Sequence, residues 1–145
     1  MNIPFLDNWR KKHDAGRSPL VSAFDRDPEG AAELLAECEL LRARAQEAGV
    51  ALDDTPRSLA ALDQLPPRWR DDPEELPWIG NDAGLYLGTV IVRTVPAAGW
   101  RLRPDGQPVV LLPSGREVNV VEAGLDWAAT GAPELSQVYA ESAEY

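Results

Sequence analysis

The sequence predicts an α+β fold, with N-terminal helices, a three-stranded antiparallel meander and C-terminal helices. Three observations carry this. Up to about residue 95, apolar residues recur at three-and-four spacing between capping signals. Between Trp100 and Val120 the period shortens and turn dipeptides separate short apolar runs. After Val120 the helical period returns. The expected organisation is one domain over residues 1–145, in which 1–19 form a docked or detachable N-terminal helix.

Within that arm, PFLDNWRKKHD places Phe5, Leu6 and Trp9 on one side of a short amphipathic helix, and AGRSP reads as a loop. DPEGAAELLAECELLRARAQEAG, Asp27 to Gly49, then predicts a single long helix. Asp27 is a capping residue, Pro28 suits the first helical position, and Gly49 sits where a left-handed terminator belongs. Leu34, Leu35, Cys38, Leu41, Ala45 and Ala48 form its apolar face, and Glu33, Glu37, Arg44 and Glu47 its solvated one. Thr55 caps a further helix, PRSLAALDQL, with Leu59, Leu62 and Leu65 inward and an end at Pro66-Pro67. From Pro66 to Asn81, PPRWRDDPEELPWIGN reads as an irregular connection containing an acidic, solvated group, Asp71, Asp72, Glu74 and Glu75.

In WIGNDAGLYLGTVIVRTV the glycines Gly80, Gly84 and Gly88 are four residues apart. The tract lacks a lysine and carries Asp82, which argues against a phosphate cradle. Its length argues against a membrane dimerisation face. Although Thr89, Val90, Ile91 and Val92 favour a strand, Asn81 and Asp82 can cap, and the spacing puts the glycines on one helical ridge. A buried helix is therefore predicted, with Gly88 against a neighbouring backbone. Strands are expected at Trp100–Arg103, Val109–Leu112 and Arg116–Val120, with turns at Pro104-Asp105-Gly106 and Ser114-Gly115. VEAGLDWAATG and PELSQVYAES are the closing helices.

The succession SLAALDQL, GLYLGTVIVR, GW, QPVVLLPSGREVNVV and APELSQVYAE resembles a family of uncharacterised actinobacterial proteins of Streptomyces type, over nearly the whole chain. It is similar, more weakly, to a broader group in which a helix with a YLGE core precedes a small sheet; Thr89 stands where that group has Glu. The resemblance implies the helix and the order of elements, and no activity.

The formal net charge is −10, from 24 acidic and 14 basic residues, which disfavours nucleic acid and anionic lipid and suits a basic protein partner. Beyond Arg116 the charged side chains are all acidic. The uncharged run Ala83 to Val92 falls short of a membrane span, and the N-terminus lacks the apolar core of a secretory signal. The lone Cys38 fits a reducing cytoplasm. One histidine, His13, and one cysteine leave no His/Cys metal set and no marked nucleophile–base pair, so no catalytic residue, cofactor or metal is assigned. The five tryptophans are many for this length, and Trp69 with Arg68, Arg70 and Trp78 forms the best contact surface in the sequence. The expected function is a non-catalytic cytoplasmic binding or regulatory module acting through protein contacts, an immunity-like inhibitor of a basic protein being its narrower form. The competing class is a small enzyme using carboxylate and Arg side chains.

Overall fold

The computed structural model describes residues 27–65, 69 and 71–143. The N-terminal helix expected within 1–19 lies outside them. The fold is α+β, with helices on both sides in sequence of one three-stranded antiparallel sheet.

The helix expected over Asp27–Gly49 is two helices, α1 (Pro28–Leu35) and α2 (Glu39–Glu47). Asp27 caps α1 by accepting from the Gly30 amide, as its position predicts. The interruption falls at Cys38, whose backbone is left-handed at φ 43°, so the expected continuous apolar face is bent and Leu34 is left 41% exposed. Arg42, one turn into α2, donates to the freed carbonyls of Ala36 and Glu37, both at 3.0 Å. Those bonds replace the ones that a continuous helix would have supplied. Helix α3 (Pro56–Leu62) starts at Thr55 as expected, with the Ser58 amide donating to its hydroxyl, and buries Leu59 and Leu62; it stops short of the expected end at Pro66-Pro67, and Leu65 is buried just beyond it.

The central helix, α4 (Leu76–Thr94), begins earlier than the capping pair Asn81-Asp82 suggests. Leu76-Pro77 opens it, proline being tolerated in a first turn, and Asp82 lies inside it. The solvated acidic group also needs correcting at Glu75, which is buried and forms a two-pronged ion pair with Arg44 of α2, Nε to Oε2 at 3.3 Å and Nη2 to Oε1. Arg44 is therefore a contact residue rather than part of a solvated face.

Strands β1 (Gly99–Leu102), β2 (Pro108–Leu111) and β3 (Glu117–Val118) form a meander with Trp100 opposite Val110 and Val110 opposite Val118. That row faces the core, while Arg101 and Arg103 pair with Glu117 on the outside at 3.1 and 3.7 Å. Helix α5 (Val120–Thr130) is capped by Asn119, which accepts from the Glu122 amide, and stops at Gly131 in the left-handed region. Helix α6 (Leu135–Ala143) closes the chain against α3 and α4.

The glycines set the approach of α4 to α5. A Cβ on Gly84 would lie 2.3 Å from the Val120 carbonyl oxygen, and one on Gly124 of α5 would lie 2.3 Å from the Gly80 carbonyl oxygen. Here the two backbones touch. Gly88 is helical as expected, but it meets a side chain, not a backbone: an added Cβ would lie 2.2 Å from the Trp100 ring. Helix α5 begins at Val120, level with Gly84, so one turn further along α4 the neighbour is the Trp100 indole of β1.

Candidate functional site

Opposite its glycine ridge, α4 carries Asp82, Tyr86 and Arg93, four and seven residues apart and hence on one face. This face receives α1, α2 and the segment that leads into α3. Asp82 is 0% exposed, and its Oδ2 accepts from the Leu41 amide in the first turn of α2 at 3.1 Å. Cys38, at the cap position of that helix, makes no side-chain capping bond; Asp82 supplies the cap from another helix. Its second oxygen, Oδ1, is buried with no hydrogen-bond partner. Burial pushes the Asp82 carboxyl up to about 7, against the opposing pull of the α2 amides. The Cys38 thiol lies 3.3 Å from the Asp82 carbonyl and 3.5 Å from that of Leu35. Burial first, then the Asp82 charge, pushes it up and keeps it an inert thiol.

One turn along, the Tyr86 hydroxyl accepts from the Asp54 amide at 2.8 Å and lies 2.6 Å from Ser58 Oγ. Because Ser58 donates its own proton to the Thr55 carbonyl at 2.6 Å, the phenol donates to Ser58. Burial pushes Tyr86 up, so it stays neutral. The Arg42 guanidinium lies over the Tyr86 ring, 5.3 Å from its centroid, and donates to the Leu52 carbonyl at 3.0 Å and to Asp54 Oδ1 at 3.2 Å. Arg93 holds the other oxygen of Asp54. Arg42, Tyr86 and Arg93 thus tie α2 and the 52–58 segment to α4.

A second cluster organises the other end. Asp63, just past α3, accepts from the Trp127 indole at 2.9 Å, the Leu135 amide at 2.8 Å, the Ser136 amide at 3.2 Å and the Ser136 hydroxyl at 2.6 Å. It caps α6 and fixes Trp127, which is fully buried. Trp69 stands edge-on to Trp127, centroids 6.2 Å apart and planes at 70°. Trp69 and Trp78 are both half-buried and pack on the core. Arg68 and Arg70 lie outside the described residues.

The sequence reading missed Asp82, Arg42, Asp54 and Asp63 as organising residues. The signal for Asp82 was present in its helical spacing to Tyr86 and Arg93; for Asp63 and Arg42, whose partners lie in other elements or past a helix break, the sequence carries no comparable sign. Among the described residues, no group of three or more His, Cys, Asp or Glu could hold a metal ion, and no helix is long and apolar enough to cross a membrane.

The geometry is that of a small α+β protein whose buried polar groups fasten helices to one another. The chain belongs to a family of unknown function, DUF6278, whose sequence profile spans residues 1–145. No curated protein and no solved structure matches it.

Proposed function

We propose that the protein is a non-catalytic binding or regulatory module of the cytoplasm, acting through protein–protein contacts at Trp69 and Trp78, with Arg68 and Arg70 flanking Trp69 in sequence. The observation that carries this reading is the seat of Trp69: its ring is held edge-on by the buried Trp127, and the residue keeps part of its surface in solvent. An aromatic group immobilised in the free protein loses little entropy on binding, which is what a contact anchor requires. The acidic balance supports a basic partner: α5 turns Glu122, Leu125 and Asp126 outward, and Glu134 and Glu141 are exposed beyond it. An immunity-like inhibitor of a basic protein is the form that would use this charge most directly. The small-enzyme alternative has less support, because Asp54, Asp63, Glu75 and Asp82 are committed to pairing and capping. The cytoplasmic placement rests on the free, buried Cys38, and an actinobacterial source on the preference for Arg over Lys.

The test is Trp69→Ala and Trp78→Ala, each measured for melting temperature and for recovery of the wild-type partner in pull-downs. Partner loss with melting retained is the expected result. A large stability loss in both variants would make the rings core staples and remove the surface from consideration. For nucleic acid, no binding is expected at physiological salt, and a salt-sensitive gel shift with DNA or RNA at micromolar protein would contradict the charge argument.

A further inference from the structure

The turn between α1 and α2 depends on one side chain from elsewhere. Asp82 caps α2 through a single oxygen, its backbone carbonyl faces the Cys38 thiol, and its other carboxyl oxygen is buried without a partner. The charged groups around this point are few. Helix α2 brings Glu39 and Arg42, which act on Asp82 in opposite directions, and Glu37 and Asp54 bear on the Cys38 side. The buried residues of α1, Ala31 and Leu35, are apolar. A carboxylate with one bonded oxygen and little compensating charge is costly in such a place, whereas a neutral carboxyl group is tolerated.

We infer that Asp82 is a proton-operated latch on the α1–α2 junction: protonated, it lets the junction sit closed on α4; ionised, it draws in water and lifts the junction, uncovering Cys38 and releasing α1. The proton goes to Oδ1, since Oδ2 already accepts from the Leu41 amide. The range in which this acts is near neutrality, because burial holds the group at about 7. Helix α1 suits a releasable element: it is a short helix of 8 residues that ends with Leu34 exposed beside buried Leu35. The inference is independent of the partner surface proposed above.

Cys38 is the chain's only cysteine and is 3% exposed, so its alkylation reports opening directly. The full chain and Asp82→Asn are labelled with iodoacetamide from about pH 5.5 to 8.5, each rate being divided by that of the same chain in denaturant to remove thiol ionisation. The normalised wild-type rate is expected to rise about tenfold between roughly pH 6 and 8, while the Asp82→Asn rate stays flat. A flat wild-type profile overturns the latch. If Asp82→Asn fails to fold, the carboxyl-carbon titration of Asp82 in the wild-type chain decides: a midpoint near 7 that tracks Cys38 labelling supports it, and a midpoint at ordinary carboxylate values overturns it.

Discussion

The two sides of α4 are held by opposite kinds of contact. On the glycine side, Gly80 and Gly84 meet Gly124 and the Val120-Val121 backbone of α5, so the interface is set by shape. On the other side, Asp82, Tyr86 and Arg93 meet the α1–α3 region through directed polar bonds, one of them the Arg93–Asp54 ion pair. Shape contacts between backbones have no titrating group and no slack. Polar contacts have partners that can be exchanged for water, so the same helix is rigid on one side and tunable on the other.

The largest expected effect tests that tunability. Asp82 has a folded pKa of about 7, raised above the unfolded value of 3.8. Its contribution is therefore fully present below the unfolded value and is lost as pH rises through about 7. Relative to Asp82→Asn, wild-type stability should fall by on the order of 4 kcal/mol from acid to neutral pH, measured by urea unfolding at each pH. A difference that does not change with pH would mean that both sides of α4 are indifferent to protons.

The next effect tests rigidity. Gly84→Ala puts a methyl group 2.3 Å from the Val120 carbonyl oxygen, and α5 must move as a unit to admit it. A loss of about 3 kcal/mol in thermal or chemical unfolding is expected, despite alanine's better helix propensity. Arg42→Ala strips donors from the carbonyls of Ala36, Glu37 and Leu52 and from Asp54, and about 2 kcal/mol should go with them. Arg42→Lys should recover only part, since one ammonium cannot span the same acceptors. The smallest effect is Gly88→Ala, about 1 kcal/mol, because its obstacle is the half-buried Trp100 ring, which can pivot. Equal losses in Gly84→Ala and Gly88→Ala, compared by calorimetry, would erase the distinction between backbone and side-chain packing along the ridge.

The sequence by itself determined the elements whose signals are local. Asp27, Thr55 and Asn119 each meet an amide three residues ahead, Gly131 ends its helix in a left-handed turn, and the turns at 104–106 and 114–115 fall between short β runs. The four-residue glycine spacing was likewise enough to place α4 against close neighbours. Trp69 and Trp78 were legible as candidate anchors because aromatic, proline-rich connections are visible in composition alone. What only the tertiary structure decided are the features whose cause is a distant residue. The helix over 27–49 breaks because Asp82, 41 positions from Leu41, caps α2 from outside it while Arg42 takes up the carbonyls that the break frees. Glu75 is buried because Arg44 meets it, and α6 starts where Asp63, 72 positions before Leu135, accepts its amides. A helix end can be satisfied by any correctly placed acceptor, and sequence spacing shows only the local ones.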